Sequence, residues 1–163
     1  MMCIAFLFCL CPGKYTGTMT GDQAFALNDV VLFIGTQRLH NEHSSKDELQ
    51  ASTSLQLAFT IQKNNDQGAI IVNAQSNNVI CCPVLAAIRQ LLFHCKMLHY
   101  LHLSFDGSIK LSNYYNFHDV SVPVKASMIT TTMHIHAALL EPATDIAPKK
   151  ISACLLQAGG GRV

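Results

Sequence analysis

Charge is what this chain has least of. Only 13% of its 163 residues are Asp, Glu, Lys or Arg, against roughly 25% in an average soluble domain. Eleven basic residues face ten acidic ones, for a formal net charge of +1. That balance excludes a uniform electrostatic grip on nucleic acid or an anionic membrane, while leaving room for a local basic groove. A membrane span is also missing: the apolar run at residues 1–11 (MMCIAFLFCLC) is far short of the ~20 residues a spanning helix needs. It has no basic residue before it and no small-x-small cleavage site after it, so it does not read as a signal peptide either. A helix buried on all sides and cut by Pro12 and Gly13 is the expectation. No P-loop, dinucleotide fingerprint, H-E-x-x-H or G-x-S-x-G occurs.

What is present is apolar mass. Half of the residues are hydrophobic, which offsets the conformational entropy of one ordinary domain and excludes a disordered chain. The scarcity of charge also implies that part of the apolar surface meets something else. Seven cysteines occur, at Cys3, Cys9, Cys11, Cys81, Cys82, Cys95 and Cys154. An odd count, with three in one apolar run and two adjacent, does not make a closed disulfide framework. They read as buried free thiols in a reducing compartment, hence an intracellular protein. Cys81, Cys82, Cys95, His99 and His102 share a window, but C-C-x12-C-x3-H-x2-H is not a zinc-ligand spacing. No metal and no cofactor are expected.

Periodicity supplies the elements. Val30, Val31, Leu32, Phe33 and Ile34 form a buried strand closed by Gly35. A serine followed by acidic residues caps a short helix at about 45–51. Residues 55–63 (LQLAFTIQK) alternate, with Leu55, Leu57, Phe59 and Ile61 on one face. Residues 64–68 are turn-like, and 69–74 (AIIVNA) return as the second strand of an antiparallel hairpin. Pro83 opens a helix carrying Val84, Ile88, Leu91, Leu92 and Cys95 at helical spacing through about Met97. An irregular connector with a short strand at 101–105 follows. A second helix spans about 124–140 despite three consecutive threonines, broken at Pro142, and a last helix begins near Pro148.

The order of these elements and five short boxes resemble the catalytic domain of the tyrosine recombinases, in particular the transposon-encoded type. Residues 10–17 (LCPGKYTG) resemble the family's L-R-P-G-E-Y-T-G box, and 27–30 (LNDV) its L-x-D-V. Residues 57–64 (LAFTIQKN) with 82–84 (CPV) resemble the lysine hairpin and the opening of the next helix. Residues 145–153 (DIAPKKISA) resemble D-x-S-x-x-x-L-R-A, which holds the family's second arginine. The resemblance implies an α+β, mainly helical, integrase-like catalytic domain with a small antiparallel sheet, one truncated domain over 1–163. It also implies DNA as the partner and recombination or integration of a mobile element as the ancestral activity. The nucleus is where such a protein would meet DNA.

The departures bear on chemistry. The family's two arginines clamp the phosphoryl oxygens with planar bidentate donors, and here those positions hold Cys11 and Ser152. Only Lys63 keeps its family identity, as the catalytic lysine. The chain stops at Val163, before the family's last histidine and its nucleophilic tyrosine are expected. Tyr114 and Tyr115 lie upstream of the second arginine box and read as packing residues. The resemblance therefore implies fold and DNA contact through Lys14, Lys63, Lys149 and Lys150, without strand transfer. A non-enzymatic interaction module, or a decayed reading frame without selected function, is the alternative. A second copy of the chain remains a candidate partner.

Overall fold

The computed structural model describes residues 24–59, 68–76, 78–79, 82–115, 122 and 124–144, with side chains to residue 139. The helices expected at 1–11 and near Pro148, and the turn at 64–67, lie outside the described residues.

Ala24 and Phe25 are buried, and a 3-10 turn at Leu27–Asp29 leads into strand β1, Val30–Ile34. Gly35, with φ of +58°, and Thr36 make a two-residue turn that brings back β2, Gln37–Arg38. A glycine first in such a turn is what a two-residue hairpin needs. The short helix α1, Lys46–Gln50, starts as expected. Its cap is reciprocal: the Glu48 N–H donates to Ser45 Oγ (3.2 Å) and the Ser45 N–H to Glu48 Oε2 (2.7 Å). Hydrogen bonds to the carboxylate, from the Ser45 backbone first and its side chain second, hold the Glu48 carboxyl below its ordinary range.

Strands β3 (Ser54–Phe59) and β4 (Ala69–Ala74) pair antiparallel along all six positions, from Ser54 with Ala74 to Phe59 with Ala69. Among the described residues the sheet is antiparallel in the order β2-β1-β3-β4. Register places Val30 opposite Leu57 and Leu32 opposite Leu55, so one face gathers four fully buried side chains. Helix α2, Pro83–Tyr100, lies over that face, touching β3, β4 and α1. Val84, Ala87, Ile88 and Leu91 complete the core with Phe25, Leu49, Phe59 and Leu111. Phe25 and Phe59 meet edge to face, ring centres 5.0 Å apart. The molecule is thus α+β, with more helix than strand among the described residues.

Three sequence expectations need correction. The strand at 101–105 does not form, because α2 runs on to Tyr100 and ends in a Schellman turn. The Leu103 N–H donates to Leu98 O (2.9 Å) and the His102 N–H to His99 O (3.1 Å), with His102 at φ +55°. That pair of bonds satisfies terminal carbonyls that an extended chain would leave open. Cys95 is only half-buried, and the α2 stripe instead continues through His94, which is fully enclosed. Helix α3, Ala126–Thr144, runs two residues past Pro142. A proline forfeits a single backbone bond there, and the helix carries that loss for its last residues. Its threonines are tolerated partly because Thr132 Oγ1 donates to Met128 O at 2.9 Å, one turn back.

Among the described residues no helix is long and apolar enough to cross a membrane.

Candidate functional site

Six residues single themselves out by resemblance: Cys11, Lys14, Lys63, Lys149, Lys150 and Ser152. All six lie outside the described residues. Their neighbours in sequence do not. Val30, where the second box ends, starts β1, and Leu57 and Phe59 sit on β3. Lys63 falls between β3 and β4 in the chain, and Pro83 is the first residue of α2. Cys82 precedes that helix, fully buried. Burial alone would raise its thiol, but backbone N–H groups of Leu85, Ser76 and Val84 outweigh burial and lower it. The Ser76 N–H reaches Cys82 Sγ at 3.3 Å. A sulfur closed to solvent in this way is not open to reagents. Burial pushes the Cys95 thiol up.

A second group of polar residues gathers where sequence reading singled out nothing. Leu39, buried directly after β2, donates its N–H to Leu32 O (2.8 Å) and turns the chain around. The backbone then winds tightly: His43 and Ser44 both donate to His40 O (3.1 and 2.8 Å), and the His40 N–H donates to Ser44 Oγ (3.1 Å). Asn41 fastens this turn to the 3-10 segment, its Nδ2 donating to Leu27 O (2.9 Å) and Val30 O (2.8 Å). Its Oδ1 is buried without a partner, a cost of about 1–3 kcal/mol. Around a cavity of about 150 Å³ stand Arg38, His40, Asn41, Glu42 and His43, with Asn28 opposite and Phe105 as an apolar wall. His43 Nε2 lies 3.7 Å from Glu42 Oε2. The only available signal in the sequence was local density: R-L-H-N-E-H is polar at five of six positions.

The third polar group is internal. His94 Nδ1 lies 2.8 Å from Tyr115 Oη and its Nε2 3.1 Å from Leu111 O. A neutral imidazole satisfies both: Nε2–H donates to the carbonyl, and Nδ1 accepts the tyrosine proton. Burial lowers the affinity of His94 for a second proton, more than the Leu111 carbonyl raises it. The Tyr115 ring also packs near Phe93, at 5.8 Å between centres. The pair therefore ties the connector to α2, and Tyr115 packs as its place in the sequence suggests. Burial first, and the nearby Cys95 second, push the Tyr115 hydroxyl up.

Among the described residues no group of three or more His, Cys, Asp or Glu side chains could hold a metal ion. No family model matches this chain, and neither curated proteins nor solved structures give a match.

Proposed function

We propose that this chain is a DNA-binding domain of tyrosine-recombinase descent that no longer transfers DNA strands. The observation that carries the reading is the position of Lys63 between two strands that pair antiparallel along six positions, the setting the resemblance expects for the family's lysine. Further support comes from β1 beginning at the L-N-D-V box and α2 beginning at C-P-V. The absence of strand transfer follows from Cys11 and Ser152. Neither side chain carries the charge that stabilises a phosphoryl transition state, and one such donor is worth ~10²–10³ in rate.

Incubation of the chain with labelled duplex, followed by denaturing electrophoresis and by affinity measurement across a salt series, tests both halves. Salt-dependent affinity weakened by Lys63→Ala, with no covalent band, is the expected result. A covalent band that disappears on changing Tyr114 or Tyr115 would show strand-transfer chemistry by a displaced nucleophile. Affinity indifferent to salt would remove the DNA reading.

One observation favours a second reading, a module that binds another protein surface. Ile70, Ile71 and Val72 on β4 and Met128, Ile135 and Leu139 on α3 are exposed. Contiguous exposed apolar side chains on an edge strand invite pairing with another chain.

A further inference from the structure

We propose that the cavity bordered by Arg38, His40 and His43 is a binding site for a phosphate group. The inference rests on the DNA reading only for the carrier of that phosphate, the duplex backbone; the site itself is argued from its own geometry. Arg38 projects from the short edge strand β2 and is exposed. The close contact between His43 and Glu42 does not involve it. A guanidinium offers a planar fork of donors that matches two phosphate oxygens. The imidazoles of His40 and His43 each supply at least one N–H, whichever tautomer they adopt.

The surroundings fix the backbone that carries these side chains. Buried Leu39 stands between Arg38 and His40 and anchors both. The hydrogen bonds of Ser44 to His40, and of Asn41 to the carbonyls of Leu27 and Val30, fix the turn that carries His43. The volume of about 150 Å³ suits a compact group, since a cavity of roughly that size accepts a benzene ring. Glu42 is the opposing charge. Its Oε2 lies 3.7 Å from His43 Nε2 and its charge repels an arriving anion, so removal of the carboxylate charge should strengthen binding.

The test uses the full chain and two probes, inorganic phosphate and a short duplex. Amide shifts are followed by NMR as phosphate replaces chloride at constant ionic strength. Saturable shifts at residues 38–43 are expected, weakened about tenfold or more by Arg38→Ala, as loss of a hydrogen bond to a charged group implies. Glu42→Gln should tighten binding about two- to fivefold. With duplex, Arg38→Ala should lower the slope of log affinity against log salt by about one. Phosphate binding that depends on Arg38, without duplex binding, keeps the site and removes the DNA reading. Duplex binding with an unchanged slope in Arg38→Ala keeps the DNA reading and overturns the site as its contact. No saturable phosphate shift, or a Glu42→Gln variant that binds more weakly, overturns the site outright. Arg38 and Glu42 are both exposed, so neither change threatens folding.

Discussion

Strands β3 and β4 are hydrogen-bonded partners over six residues, and both are apolar, yet they meet opposite environments. Leu55 and Leu57 on β3 are 0% exposed, whereas Ile70 and Val72 on β4 are 58% and 57% exposed. Position in the sheet explains the difference. Leu55 and Leu57 lie on the face that α2 covers, whereas Ile70 and Val72, paired with Ala58 and Gln56, lie on the opposite face of an edge strand. Ile71, opposite Leu57, shares the covered face but sits at its margin, and remains 39% exposed. Ile70 and Val72 point to the other face. Hydrophobicity alone therefore does not decide burial in a small sheet; the number of covering neighbours does. The β4 strand carries none of the charges or prolines that usually protect an edge.

The comparison can be broken most forcefully at Leu57. Leu57→Ala is expected to cost about 2–5 kcal/mol, the range for a leucine truncated in a packed core, whereas Val72→Ala should stay within about 0.5 kcal/mol. Urea unfolding of the two variants checks this. Equal losses would mean that β4 is covered in solution as thoroughly as β3.

The next effect concerns the inverse anomaly, a polar residue in the covered half. Neutral His94 fits its site, and burial holds its folded pKa below the unfolded value. Below the unfolded pKa of about 6.5 the unfolded chain therefore binds the proton more readily than the folded one. Stability is full above that pH and declines as pH falls through and below it. Unfolding midpoints at neutral and mildly acidic pH should show this decline, and His94→Gln should flatten it. Tyr115→Phe, which removes the 2.8 Å bond, should cost about 0.5–1.5 kcal/mol. A pH profile that His94→Gln leaves unaltered would place the titrating group elsewhere.

Two smaller effects sharpen the contrast. His102 occupies a left-handed position that glycine takes without strain. His102→Gly should raise stability by about 0.5–1 kcal/mol, the relief of strain being partly offset by a more flexible unfolded chain. Val72→Lys should leave the unfolding midpoint almost unchanged, within about 0.5 kcal/mol. If copies of the chain associate through β4, the same variant should abolish any dependence of apparent mass on concentration in sedimentation.

The elements with strong local signals were legible in the sequence. Alternation from Leu55 to Phe59 marked β3 and its buried face, Ser45 marked the start of α1, and Pro83 marked that of α2. The rest was set by tertiary contact. β2 is a pair of polar residues, Gln37 and Arg38, with no hydropathic signature; it exists because Gly35 turns the chain back along β1. His102 at the end of α2 gave no sign of a cap that glycine normally announces. His94 entered the core because Leu111 and Tyr115, seventeen and twenty-one residues later, satisfy both ring nitrogens. The cluster around Arg38 was hidden for a similar reason: the bonds that converge its members come from Leu32, Leu27 and Val30, earlier in the chain. Lys63 was the opposite case, conspicuous by its sequence box and lying outside the described residues.

The central proposal is that the chain binds duplex DNA through the segment that joins β3 to β4 in the sequence and carries Lys63. Hydrogen exchange of the full chain with and without duplex, at low salt, tests it most directly. Added duplex should slow exchange in residues 60–67 and 38–43, and leave the β4 edge at 69–74 unchanged. Unaltered exchange in both segments, at duplex concentrations far above that of the protein, would contradict the account.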